Sequence, residues 1–128
     1  MLVKLKPKRR NKHGNKRVVA PDGKAFDSIG EYRRWQDLLL LEKAGHITLL
    51  EHHRNFPLVV GRGTEHAVTI GDYEADFYYW DVQNHRWVVE DVKAFDKKKG
   101  KFLTTDLFRW KAKHFEAQYG WRITLVEA

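Results

Sequence analysis

Apolar side chains recur at helical steps of three and four residues in two stretches of this chain, and at strand spacing in several shorter ones. Ile29, Tyr32, Trp35, Leu38 and Leu39 make one such stripe, which predicts a helix over about residues 29 to 44 with these side chains buried. Ser28 and Glu31 have the spacing of a capping box at its start, and Gly45 is placed to stop it. A second helix is expected over about residues 105 to 119, with Leu107, Phe108, Trp110 and Phe115 among its apolar positions and Gly120 as its stop.

The strand-like segments fall around these helices. Arg17 to Ala20 reads as a short strand before the turn Pro21-Asp22-Gly23. Ile47 to Leu50 and Phe56 to Val60 read as two strand segments, with Gly61-Arg62-Gly63 as a turn. Tyr73 to Trp80 and Arg86 to Phe95 form a β-hairpin about the polar Gln83-Asn84 pair. Lys97 to Lys101 follows as a basic loop, and Arg122 to Val126 is a final strand. This order describes an α/β fold, a mixed sheet with a central hairpin packed against helices. At 128 residues the chain suits one domain with a modest core.

The register of the hairpin has chemical content. A turn centred on Gln83-Asn84 sets Trp80 against Trp87, Tyr78 against Val89, Asp76 against Asp91, and Glu74 against Lys93. Opposed strand residues have Cβ atoms roughly 4.5–5.5 Å apart, and like charges there repel. Asp76 against Asp91 therefore calls for a positive charge between them, and a hard divalent cation such as Mg²⁺ takes oxygen ligands of this kind. Alternation places Asp91 and Lys93 on one face, with Val92 turned away and Glu90 on the opposite face as a surface or second-layer residue. Two carboxylates, a lysine and a metal are the parts that phosphodiester hydrolysis requires. The same residues also suit an ordinary solvated sheet face with a Glu74–Lys93 ion pair, and spacing alone leaves both readings open.

Composition narrows the partners. The net charge of +7 is concentrated in residues 1 to 17, which carry eight basic side chains and no acid and leave 16 basic against 17 acidic residues elsewhere. Such an arm, expected to be flexible, suits a polyanion, above all nucleic acid. Lys16 and Arg17 at its end, with Lys97, Lys98, Lys99 and Lys101 beyond the hairpin, are candidate phosphate contacts. Arg109, Lys111 and Lys113 on the second helix offer another. The arm lacks the aromatic or amphipathic residues that insert into membranes, and the start of the chain has no apolar run of signal-peptide length. Cysteine is absent, which removes disulfides and thiolate zinc sites, and a cytoplasmic protein fits these features. The seven histidines, His52 and His53 included, show no spacing that builds a separate metal site and read as surface or partly buried residues. The tryptophans and tyrosines read mostly as packing.

Glutamate on the first helix, aspartate on a strand, and Asp-Xaa-Lys on the paired strand together resemble the signature of the PD-(D/E)XK, or restriction-endonuclease-like, superfamily. More closely, the chain resembles a family of small phage and prophage proteins catalogued as a domain of unknown function and assigned to that superfamily. The matching stretches are Asn15-Lys16-Arg17, Asp22-Gly23, Phe26-Asp27-Ser28 with Glu31, Tyr73-Glu74-Ala75-Asp76-Phe77, and Val89-Glu90-Asp91-Val92-Lys93. The layout is also similar to the DNA-cutting subunit of some cut-and-paste bacterial transposons. Ala75 stands where proline is often found in the superfamily.

The resemblance implies a nuclease-like domain over residues 18 to 128 and an Mg²⁺-dependent endodeoxyribonuclease, with Mn²⁺ able to substitute. Asp76 and Asp91 would be metal ligands, with the Val92 carbonyl as a further ligand and Lys93 as the catalytic lysine. Glu31 would complete the site, unless it is held as the reciprocal partner of Ser28 in the capping box. DNA is the expected partner, with no membrane. A homodimer for double-strand cutting and a phage or recombination partner are further expectations, and nicks, flaps and branches are candidate substrates. The alternatives are a catalytically silent nucleic-acid-binding module and a phage packaging-associated protein.

Overall fold

The computed structural model describes residues 16–128, so most of the basic arm lies outside the described residues. The chain opens with a small hairpin of β1 (Val18–Val19) and β2 (Ala25–Phe26) around the predicted turn. Helix α1 (Ile29–Lys43) follows, capped by Ser28, whose hydroxyl accepts from the Glu31 backbone N–H at 3.0 Å. Then come β3 (Ile47–Val60), β4 (Val68–Asp81) and β5 (Arg86–Lys93). A second small hairpin, β6 (Phe95–Asp96) and β7 (Lys101–Phe102), leads to α2 (Asp106–Tyr119) and β8 (Ile123–Glu127). The main sheet has the order β3-β4-β5-β8, antiparallel except for the parallel β5–β8 pair. The fold is thus α/β with a mixed sheet and the predicted hairpin at its centre.

Two apolar clusters flank this sheet. Trp35 and Leu38 of α1 pack with Phe26, Phe77, Tyr79 and Val88 in one. Phe115 of α2 packs with Phe56, Leu58, Tyr73, Tyr78 and Val89 in the other. The two helices therefore cover opposite faces. Gly30 lies where β8 runs on past its end over α1. A Cβ there would sit 2.7 Å from that of Ala128, so the close approach needs glycine.

Several elements differ from their expected limits. The two segments expected at 47–50 and 56–60 are one continuous strand, because β4 pairs with nearly its whole length. β4 itself begins at Val68, five residues before the expected start. β5 ends at Lys93, and Phe95 instead pairs with Phe102 in the small hairpin that makes up the lysine-rich loop. The α1 stripe is narrower than its periodicity suggests. Ile29 and Leu39 are exposed, because the sheet contacts α1 along Glu31, Trp35 and Leu38. On α2, Leu107 and Trp110 (80% exposed) face outward rather than into the core.

Glu90 does point to the α1 side, as alternation requires, yet it is 1% exposed rather than at the surface. A bidentate pair with Arg34 at 2.8 and 2.7 Å and a hydrogen bond from the Tyr79 hydroxyl hold it there. Removing one partner of such a pair leaves a buried charge uncompensated. Arg34→Ala is expected to destabilise the fold by about 3 kcal/mol, toward the low end for buried pairs because Arg34 retains some solvent contact. Replacing both Arg34 and Glu90 with apolar residues should recover most of that loss. Urea denaturation of the three proteins reads the difference, and an unchanged midpoint for Arg34→Ala would show that the pair contributes nothing.

Candidate active site

The site lies where the sheet breaks its own alternation. On β3, His52 packs on the α1 side against Phe26, Trp35 and Phe77, whereas Phe56 and Leu58 face α2. On β4, Phe77 and Tyr79 face α1, whereas Tyr73 and Ala75 face α2. Residues two apart on a strand share a face, so both strands switch sides between these positions. The switch falls at His53 and Asp76, which the flanking pairs His52–Phe77 and Arg54–Ala75 set opposite each other. His53 has φ +57°, a conformation that ends regular pleating for a non-glycine residue.

The β4–β5 ladder stops at the same level. Its pairs run from Asp81–Arg86 to Phe77–Glu90 in the expected register, with Trp80 edge-on to Trp87 at 5.2 Å. The turn spans the four residues 82 to 85, an even number that preserves this register. Asp81 holds it by accepting from the backbone N–H groups of Gln83 and Asn84. Asp76 and Asp91 are not a paired rung, however, because the ladder ends one position before them. Asp76 Oδ2 accepts from the Val92 backbone N–H at 2.7 Å. From these staggered positions the two carboxyl groups still come within hydrogen-bonding reach of each other. Glu74 does not meet Lys93. It pairs with Asn55 across β3, and its carboxylate lies 3.4 Å from His53 Nδ1.

Lys93 is instead an immediate neighbour of Asp91. Its Nζ lies 3.3 Å from Asp91 Oδ1 and 4.2 Å from the centre of the Phe108 ring. Val92 turns to the other face, against the α1-side core. The Tyr73 hydroxyl donates to Asp91 Oδ2. Burial, followed by the negative charge of Asp91, pushes the Tyr73 phenol well up, so it stays a neutral donor. These groups open on a cleft of about 350 Å³ lined by Asp76, Asp91, Lys93, Tyr73, Thr105 and Lys111, among others.

Glu31 comes from the first turn of α1 and is 2% exposed. Only half of the capping box forms. Glu31 Oε2 accepts from the Asp27 backbone N–H at 3.1 Å, and its Oε1 meets His53 Nε2 at 2.6 Å and His52 Nε2 at 3.2 Å. Burial acts to raise the Glu31 pKa, but hydrogen bonds from the two histidines outweigh it and hold the carboxyl below its ordinary value. The hydrogen bond to Glu31 in turn raises His53. The negative charge of Glu31 reaches Asp76, so the structure gathers all four predicted residues, Glu31, Asp76, Asp91 and Lys93, in one neighbourhood.

The histidines, Tyr73 and the cleft-lining Asp27 were not expected here. Adjacent strand residues ordinarily point apart, so the sequence contains no spacing signal for His52 and His53 acting together. Lys97, Lys98, Lys99 and Lys101 are exposed on the β6–β7 hairpin, which is inserted between two cleft residues, Lys93 and Thr105. Lys16 and Arg17 are exposed ahead of β1 and do not line the cleft. Among the described residues, no helix is long and apolar enough to cross a membrane.

Asp76 is pushed well up by burial first, then by the charges of Asp91 and Glu31. Asp91 is raised by burial and partly restored by Lys93 and Tyr73. With raised carboxyl values, the folded metal-free protein binds more protons than the unfolded chain above about pH 4. The contribution of the pair to stability is therefore fully present below that pH and is lost as pH rises through the raised values. Asp76→Asn should remove this penalty. In chelator near neutral pH it is expected to be more stable than the parent by about 1 kcal/mol or more, an advantage that disappears below about pH 4. Urea titrations at the two pH values check this, and equal stability at both would show that the carboxyls are not crowded.

Comparison with curated proteins gives no match, and comparison with solved structures gives none either. The model of one protein family, described as "Protein of unknown function (DUF1064)", matches residues 10–126. With nearly its whole length inside that match, this chain belongs to the DUF1064 family.

Proposed function

We propose that this protein is a divalent-metal-dependent endodeoxyribonuclease of the PD-(D/E)XK type, hydrolysing phosphodiester bonds in DNA. The observation that carries the reading is the pair of crowded carboxyls, Asp76 and Asp91, beside Lys93 on a cleft. Two neighbouring carboxyls, both raised by burial and Asp76 further raised by the charge of Asp91, form a donor set suited to a hard cation, which would relieve their repulsion. The residues present therefore fit Mg²⁺ or Mn²⁺, held by Asp76 and Asp91 with Glu31 in support. When bound, the ion supplies positive charge against the scissile phosphate and favours hydroxide as the attacking species.

The remaining roles belong to the chain itself. The Val92 N–H and the Tyr73 hydroxyl fix the two carboxyl groups in orientation. Lys93 brings an ammonium group to the reacting phosphate, where it stabilises developing negative charge and orients the attacking water. Lys111 lines the same cleft, and the exposed lysines of the β6–β7 hairpin, which joins the cleft residues Lys93 and Thr105 along the chain, would serve as contacts for the DNA backbone. Trp110 projects from α2 with Arg109 and Lys113 beside it, a combination suited to stacking an unpaired base while the cations hold phosphate.

Asp91→Ala and Lys93→Ala are each expected to lower the cleavage rate at least about 100-fold while DNA affinity is retained. The readout is a panel of linear, nicked, flapped and four-way DNA substrates in Mg²⁺ or Mn²⁺, with binding measured in parallel. Variants that cut as fast as the parent would overturn the assignment. Divalent-ion and DNA binding by the parent without cleavage of any substrate would instead identify a silent nucleic-acid-binding module. Trp110→Ala should weaken single-stranded DNA binding about tenfold, measured by fluorescence anisotropy, and leave duplex binding little changed.

A further inference from the structure

His52 and His53 are neighbours on β3, yet both imidazoles reach the same carboxylate oxygen. The positive φ of His53 makes this possible by turning its side chain to the side that His52 already faces. The two rings lie 3.6 Å apart, and one ligand atom from each of Glu31, His52 and His53 falls within 4.8 Å of the others. Each reaching nitrogen is Nε2, which leaves Nδ1 of His53 directed at Glu74 Oε1, 3.4 Å away. The second oxygen of Glu31 is tied to the Asp27 backbone N–H. A carboxylate behind the imidazole and a hydrogen bond behind the ligating carboxylate are the outer supports that orient metal ligands.

We propose that Glu31, His52 and His53 form a second cation site, one that takes a transition-metal ion such as Zn²⁺, Mn²⁺ or Co²⁺. Its two nitrogens and one oxygen differ in kind from the all-oxygen Asp76–Asp91 pair. Imidazole ligands suit zinc and its first-row neighbours, whereas Mg²⁺ prefers oxygen and gives up water reluctantly. Metal–ligand distances of about 2.0–2.2 Å set neighbouring ligand atoms of a tetrahedral shell roughly 3.4 Å apart. The His52–Glu31 distance of 3.2 Å is already close to that, and the 2.6 Å hydrogen bond from His53 needs to open by less than 1 Å. Three protein ligands would leave a fourth position for water or a phosphate oxygen, and His53 lies across the β3–β4 ladder from Asp76. The ion-binding claim rests on the histidine geometry, and only its link to catalysis depends on the nuclease reading.

The test uses the full chain, stripped with chelator and titrated with Co²⁺ and then Zn²⁺. One Co²⁺ is expected to bind with the visible absorption of a nitrogen-coordinated ion, displaced by Zn²⁺ but not by Mg²⁺. The side-chain NMR signals of His52 and His53 should shift on adding Zn²⁺. His53→Gln keeps a donor toward Glu31 but offers no imidazole, and it should weaken Co²⁺ binding at least about tenfold. Unshifted histidine signals in the parent, or undiminished Co²⁺ binding in a folded His53→Gln, would overturn the proposal. If the parent binds Co²⁺ at the histidines yet cleaves no DNA, the cation site stands and the nuclease reading falls. Cleavage without any histidine shift gives the reverse.

Discussion

A carboxylate removed from water must find a compensating charge or hydrogen bonds inside the protein, and this small domain removes several at once. Glu31, Glu90 and Asp91 are all buried, and half-buried Asp76 lies against Asp91. Each is met differently. Glu90 has the bidentate Arg34 pair, Glu31 has two imidazoles, and Asp91 has Lys93 and the Tyr73 hydroxyl. Among the described residues, Asp76 accepts from the Val92 N–H and faces the neighbouring acid, and burial with the charges of Asp91 and Glu31 pushes its carboxyl well up. Among the described residues, no fully buried side-chain nitrogen or oxygen lacks a hydrogen-bond partner.

These solutions divide between stability and chemistry. The Glu90–Arg34 pair ties β5 to α1 and lies on the face away from the cleft, so it sets the position of the strand that carries Asp91. On the opposite face of β5, Asp91 and Lys93 are left in contact with the cleft. The crowded pair is a local cost that the apolar clusters on both faces of the sheet offset. Functional sites commonly retain strain of this kind. The interruption at His53 and Asp76 is the device that makes the arrangement possible. Without it, Ala75 and Tyr73 would continue the α1-facing row of Phe77 and Tyr79, and His53 would point away from Glu31.

Much of this was legible in the pattern of residues. Helix positions followed from apolar periodicity, from Ser28 at the N-cap of α1 and from Gly120 at the end of α2. The register of the central hairpin followed from its turn and was correct as far as Phe77–Glu90. The grouping of Asp91 with Lys93, and the exclusion of Val92, needed only the two-residue repeat of a strand. The limits of β3 and β4 were less legible. The polar middle of β3, residues 51–55, and the start of β4, residues 68–72, are held in the sheet by pairing between the two strands, a property of neither segment alone.

The sequence by itself determined the α/β class, the cap residues and the presence of two acids and a lysine on paired strands, because local propensity and periodicity act over a few residues. Only the tertiary structure decided that the ladder stops before Asp76, that His52 and His53 turn to one side, and that Glu90 is buried against Arg34. It also decided that Trp110 faces outward although it occupies an apolar position on its helix. Each of these outcomes depends on which surface arrives opposite a residue, and a contact between groups 20 to 60 positions apart leaves no periodic trace in the chain between them.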